Sequence, residues 1–287
     1  MKEFNPIPGQ HEITNPQYHS GPGVSNSDLK YIRKAPIHYW AKKLSEEGLK
    51  DSSTRAKSLG TAVHAALLEP ELFEKNYRII PEDAPRKPSD RQWNAKNPSP
   101  DSVYAMEWWT QFNIETDSKV LITNDDWNRC IKIRETVLRH PVAGRLFADG
   151  LAEQSFYAED EETGLLLKCR PDWICENGIM VDLKKVTDCS KTGFGRAAAN
   201  YDYYVQAPFY NDVLERLYGE SPSIFIFVAV EEDFPYDLNV VYETAEQMQR
   251  GRLIYQQDLR KVAECTEKNE WPGACTSVEP LWLPGWV

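Results

Sequence analysis

The chain has no apolar run approaching the roughly 18 residues that a membrane span needs. Its longest, "SIFIFVAV" at 223–230, is the length of a strand. It is also short of positive charge. Against 44 Asp and Glu stand 33 Lys and Arg, a formal net charge of −11, which excludes a basic coat over the whole surface but not a local basic groove. Its six cysteines (130, 169, 175, 189, 265 and 275) form no CxxC pair and no zinc spacing, so reduced thiols are expected. The opening "MKEFNPIPGQHEITNP" lacks the apolar centre of a signal peptide, and there is no internal repeat. These absences predict a protein of the cytoplasm with no membrane attachment. The 287 residues are enough for one large domain or two small ones, with a sizeable core.

Residues 1–22 are polar and proline-rich and read as an N-terminal arm, leaving 23–287 as a single domain. "VSNSDLKYIRKAPIHYWAKKL" predicts a capped helix broken near Pro36, and "STRAKSLGTAVHAALLEPELFEK" predicts a second, with Leu59, Val63, Ala66 and Leu67 on its apolar face. Residues 81–102 have five prolines and no periodicity, which predicts a long surface loop. Helices are expected over about 101–115 and 124–139, then strands over about 151–158, 165–175 and 178–186. Helices near 190–199 and 203–219, two more strands and a long terminal helix complete the order. That order predicts an α/β (α+β) fold, a central mixed sheet flanked by helices.

The stretch "KCRPDWICENGIMVDLKK" at 168–185 carries the chemistry. Read with period two, Leu165, Leu167, Cys169, Trp173 and Cys175 share one face, and Lys168, Arg170 and Asp172 the other. After the turn, Ile179, Val181 and Leu183 continue the apolar set, while Met180, Asp182 and Lys184 continue the polar one. A three-residue loop, Glu176-Asn177-Gly178 with Gly178 left-handed, pairs Cys175 with Ile179 and aligns the apolar faces. Asp172 then lies opposite Asp182, with Lys184 next along. Facing carboxylates repel unless protonated or bridged by a cation, so the arrangement points to a hard divalent metal, with the lysine placed to stabilise charge on a phosphate. The plainer alternative is a solvated strand face of mixed charge.

Other residues bear on that choice. The hairpin through "EDEETG" would bring Glu153 beside Arg170 and Asp172; otherwise it is an ordinary exposed glutamate. His64 stands among Gly60, Ala62, Ala65 and Ala66, small residues that allow close helix approach, and is either a ligand or a hydrogen-bonded core histidine. Gln206 and Tyr210, four apart, share one helix face.

Taken in order, these motifs resemble the PD-(D/E)xK nuclease superfamily, in its RecB-type branch and within that the RecE-like exodeoxyribonuclease VIII nuclease domains of phages and prophages. The similarity runs through "VSNSDLKYIRKAPIHYW", "SLGTAVHAALLEPELFEKNY", "AEQSFY", "CRPDWI" and "VDLKKVTDCSKTGFGRAAANYDYYVQAPFYNDVL" to the closing tryptophans. The resemblance implies a restriction-endonuclease-like core. It implies that His64, Asp172, Asp182 and the Leu183 backbone carbonyl ligate Mg²⁺ or Mn²⁺, with Glu153 helping to hold a second ion or orient its water. Lys184 would position the attacking water. Gln206 and Tyr210 would contact the DNA backbone or brace the site, and Arg170 and Lys185 would touch DNA. Relatives with an iron–sulfur cluster have a cysteine before the proline of the first helix; Ala35 stands there, so no cluster is expected.

The resemblance further implies 5′ to 3′ processive digestion of linear double-stranded DNA from its ends, by a ring-shaped homo-oligomer, typically a tetramer, in the cytoplasm of a bacterial host. The remaining single strand would pass to a single-strand annealing (RecT-like) recombination protein. Arg86, Lys87, Arg91 and Lys96, with Lys168 and Arg170, could line the channel, or 81–102 could be a solvated linker. Two rivals stay open: a non-catalytic DNA- or partner-binding module with a nuclease-like fold, and an endonuclease on the same core.

Overall fold

A computed structural model describes residues 6–48, 55–117, 119–222, 224–275, 277–278 and 280–283. The first half is mostly helical: β1 (Gly9–His11), α1 (Asn15–Ser20), α2 (Asn26–Lys34), α3 (Pro36–Lys43), α4 (Arg55–Leu68), α5 (Pro70–Asn76), β2 (Tyr77–Ile79), α6 (Asp90–Trp93), α7 (Pro100–Thr116), β3 (Val120–Ile122), α8 (Asn124–Arg139) and α9 (Ala143–Leu146). The second half carries most of the sheet: β4 (Gly150–Ala152), β5 (Ser155–Glu159), β6 (Leu166–Cys169), β7 (Trp173–Cys175), β8 (Ile179–Val186), α10 (Lys191–Asn200), α11 (Tyr203–Tyr218), β9 (Ile224–Glu231), β10 (Leu238–Tyr242) and α12 (Ala245–Lys268).

Local chemistry sets several boundaries. Ser25 and Asp28 form a reciprocal capping box at α2, and Thr244 and Gln247 form another at α12. Proline at the first position starts α3 and α5. α12 can lie close on α11 because Gly251 has no side chain; a Cβ there would stand 2.0 Å from the Tyr204 carbonyl oxygen.

Five strands form a mixed sheet in the order β10-β9-β8-β7-β4, in which only β8 and β9 run parallel. β1, β5 and β6 form a separate antiparallel sheet. The stretch expected as an arm thus supplies β1 to that second sheet, and the expected loop 81–102 contains α6 and the first turn of α7. One core joins α2, α11 and α12 to the second sheet and to the Met180–Val186 face of β8. The other, on the Val181–Leu183 face, lies under α4 and α8.

The β7–β8 register is the one the apolar pattern predicts. Trp173 faces Val181 and Ile174 faces Met180, with Gly178 left-handed (φ 78) and its N–H donated to the Cys175 carbonyl. The two strands expected before it are each broken. The first divides into β4 and β5 and the second into β6 and β7, and in both cases the pieces enter different sheets. The expected single apolar face therefore splits: Leu167 and Cys169 belong to one core, where Met180, expected on the polar face, is also buried, and Cys175, Val181 and Leu183 belong to the other. The expectation of Lys168 on an open polar face is also corrected. It is 2% exposed and donates to the carbonyls of Tyr18 and Gly21, both at 2.7 Å.

Candidate metal centre

The site forms where the chain crosses between the sheets. Pro171 has no N–H to give a strand ladder and sits in the gap between β6 and β7, so Asp172 emerges at the opening. Glu153 occupies the matching gap between β4 and β5. Its backbone is left-handed (φ 51), a conformation a non-glycine residue holds only when its surroundings impose it, and its N–H donates to the Asp172 carbonyl at 3.0 Å. α4, packed over β8, brings His64 down, with Nδ1 3.4 Å from Asp172 Oδ2.

His64, Glu153 and Asp172 each offer a ligand atom within 4.8 Å of the others, the only such set among the described residues. Burial alone would lower the His64 imidazole pKa, but Asp172 outweighs it, with Asp182 and Glu153 adding, and raises it to about 9. Burial, then Asp172, pushes the Glu153 carboxyl up to about 7 in spite of the Arg170 guanidinium. Asp172 is held below the usual carboxylate range, because His64 first and then Lys184 and the Leu183 N–H overcome the effect of burial. One imidazole and two carboxylates, with one carboxyl reluctant to ionise because it is buried beside Asp172, fit a hard divalent cation.

Asp182 is placed differently. It faces Asp172 across the β7–β8 pair but is 2% exposed, and its partners are on its own side. Lys184 Nζ lies 2.6 Å from Oδ2, and Gln206 donates to Oδ1. Gln206 Oε1 accepts from Lys184 at 3.0 Å, and the Lys184 ammonium rests over the Tyr203 ring, 4.5 Å from its centre. Burial raises the Asp182 carboxyl to about 6, with Asp172 pushing the same way against Lys184. Burial would lower Lys184, but Asp182 more than compensates and its pKa rises. Of the expected metal residues, His64, Asp172 and Glu153 thus converge, while Asp182 is paired with Lys184. Leu183, expected to offer its carbonyl, braces the centre through its N–H, 2.7 Å from Asp172 Oδ2.

The residues expected at DNA divide. Gln206 braces Asp182 and Lys184. Tyr210 takes the bracing place of the two expected for it: its ring meets Phe225 edge-on, with centroids 5.9 Å apart, in the core behind the carboxylates. Arg170 is likewise a brace. Only 9% of its side chain is exposed, and it donates to Glu153 at 2.7 Å, Ser155 at 2.6 Å and the Ile13 carbonyl at 3.0 Å. Lys185, on the opposite strand face, pairs with Glu232 and is 11% exposed, so it does not reach the centre. Tyr203 is the residue sequence reasoning missed; its place one turn before Gln206 was the available signal. A cavity of about 790 Å³ adjoins Glu153 and Arg170 and extends to Tyr77 and Val120.

No helix among the described residues is long and apolar enough to cross a membrane. No curated protein matches the chain. Among solved structures, a protein from Eubacterium rectale named as a putative exonuclease shares the fold. The TM-score is 0.61 over 96% of this chain and 97% of that one, at 13% sequence identity. The family model described as a PDDEXK-like domain of unknown function (DUF3799) matches residues 25–282. Spanning nearly the whole chain, and agreeing with a mixed sheet that has Pro171-Asp172 at the entry to β7 and Asp182-Leu183-Lys184 on the adjacent β8, that match shows that the chain belongs to the PDDEXK-like family DUF3799, with a restriction-endonuclease-like core.

Proposed function

We propose that this protein is a divalent-metal-dependent exodeoxyribonuclease that hydrolyses phosphodiesters of linear double-stranded DNA. The observation that carries the reading is the convergence of His64, Glu153 and Asp172 beside the Asp182–Lys184 pair, at an opening in the sheet. A cation bound by the three ligands supplies Lewis-acid chemistry, neutralising phosphate charge and acidifying water. The chain's own residues do the rest. Arg170 holds Glu153 in place, and Leu183 N–H and His64 fix Asp172. Lys184, kept protonated by Asp182 and aimed by Gln206 and Tyr203, meets the negative charge that grows on the phosphate and orients the water.

Digestion runs 5′ to 3′ and processively, on this proposal, through a ring-shaped homo-oligomer, typically tetrameric, in the bacterial cytoplasm, leaving single strand for a RecT-like annealing protein. A second cation, which Glu153 would help to hold, belongs to the same proposal. Arg86, Lys87, Arg91 and Lys96 are exposed and remain available to a channel, whereas buried Lys168 and Arg170 are not. Support for an exonuclease comes from the named likeness of the Eubacterium rectale protein as well as the site. The test is digestion of end-labelled linear duplex and covalently closed circles in Mg²⁺. Loss of the linear DNA with circles intact, and early release of the 5′ label, is expected. Cut circles would make the protein an endonuclease, and binding without cutting in Mg²⁺ or Mn²⁺ would make it a non-catalytic module.

A further inference from the structure

The corner between α10 and α11 holds an exposed aromatic ring close to Lys184. Tyr201 is 60% exposed, yet its ring is stacked on that of Tyr203, with centroids 5.7 Å apart and planes 27° from parallel. Tyr203 in turn stacks on Phe194 and Phe227, at 6.0 and 6.2 Å, and both of these are buried. An aromatic row thus runs from the core to the surface and ends in Tyr201. Lys184 stands against the middle of the row, its ammonium 4.5 Å from the Tyr203 ring centre. The exposed ring is therefore one ring removed from the cation that the nuclease reading sets at the phosphate.

Two cations from α2 fix the corner. Lys30 donates to the Tyr201 carbonyl, and Arg33 pairs with Asp202 at 2.7 Å and with Asp258 at 2.6 Å. Asp202 is left-handed (φ 55), a conformation that aspartate tolerates better than most residues, and it turns the chain from α10 into α11. Burial, then the Lys184 ammonium, lowers the Lys30 pKa, so this cation too lies within reach of the site. Isolated surface aromatics are ordinary. Tyr218, 58% exposed, is one of them: it meets Phe156 edge-on and lines a separate cavity with Leu151 and Asn177. Tyr201 differs in being backed by a row of stacked rings, tied at its backbone and set beside Lys184. The group that matches such a ring is a flat π-system joined to a phosphate, which is a nucleotide base. Inside a duplex both faces of a base are covered by its neighbours, so the base that can stack here is an unpaired one.

We propose that Tyr201 stacks an unpaired base of the strand held at the metal centre, a positioning contact that rests on the nuclease reading of that centre. The stack reads no sequence, because every base offers a π face. The experiment is equilibrium binding of the full chain, in EDTA, to a single-stranded thymidine oligonucleotide and to the same backbone built of abasic units. Wild type should prefer the strand that has bases. Tyr201→Ala should reduce the preference about tenfold, the scale of one base–aromatic stack, by weakening the base-bearing strand alone. Tyr201→Phe should keep it, since the ring and not the hydroxyl makes the contact, and Tyr218→Ala should keep it too. Four results overturn the proposal, even if the protein degrades DNA in Mg²⁺: a preference unchanged in Tyr201→Ala, an equal loss on both strands, a loss in Tyr201→Phe as large as in Tyr201→Ala, or no binding of wild type to either strand. The expected pattern without cutting in Mg²⁺ or Mn²⁺ leaves the stacking role standing and overturns the nuclease reading instead.

Discussion

Asp172 and Asp182 face each other across two paired strands, yet the regions around them are built on opposite terms. The Asp172 side gathers two carboxylates and a histidine; its nearest fixed cation, Arg170, is occupied in holding Glu153. The Asp182 side is already neutralised, with Lys184 2.6 Å from the carboxylate and Gln206 bonded to both. The first region is balanced by Arg170 and by a proton on His64 that a metal can replace, and the second by its own lysine. On the proposed reading, two like residues in one motif thus take different work: one side would bind a cation, and the other would keep a lysine charged and aimed where phosphate chemistry needs it.

The comparison can be broken most forcefully at the lysine. Lys184→Ala should reduce turnover of linear duplex DNA by about a thousandfold, as loss of a preorganised charge-stabilising donor does, measured as release of acid-soluble nucleotide. Glu153→Gln sharpens the other side. In EDTA at pH 8 it should melt at a higher temperature than wild type, because it removes the charge that crowds Asp172, whereas saturating Mn²⁺ should stabilise it less than it stabilises wild type.

The same arrangement predicts a pH dependence of the metal-free protein. The folded Glu153 carboxyl keeps its proton to about pH 7, and an unfolded one releases it near 4.5, so its stabilising contribution is full below 4.5 and lost as pH rises through 7. The His64 cation contributes in the same sense, fully below 6.5 and lost through about pH 9. Melting temperature in EDTA should therefore fall from pH 5 to pH 9. In Mg²⁺ the fall should shrink, since the cation takes the place of the departing protons. A fall of equal size with and without Mg²⁺ would count against this ligand set. The smallest effect is expected outside both regions. Lys185→Ala removes a pairing with Glu232 on the far strand face and should change DNA turnover by less than about twofold, within the scale of an isolated ion pair.

Much of this was legible in the residue order because the deciding signals are local. The alternating apolar positions on both arms of the hairpin admit one register, and that register sets Asp172 opposite Asp182 with Lys184 beside it. What the order concealed depends on contacts distant in the chain. The strands at 151–158 and 165–175 read as continuous because their alternation persists through the break, although Pro171 was a sign of it. Lys168 alternates as a surface residue should, but carbonyls of Tyr18 and Gly21 bury it. Arg170 was placed at DNA by the motif and Tyr210 at DNA or as a brace, and only the fold sets the one on Glu153 and the other on Phe225. His64 could have been core or ligand, and only the fold brings its Nδ1 to 3.4 Å from Asp172 and beside Glu153.

The division between the two sides is tested most directly by calorimetric titration of the metal-free protein with Mn²⁺, comparing Asp172→Asn with Lys184→Ala. Asp172→Asn should weaken binding by roughly a hundredfold, and Lys184→Ala should leave it close to wild type. Equal losses in the two variants, or loss in Lys184→Ala alone, would contradict the account.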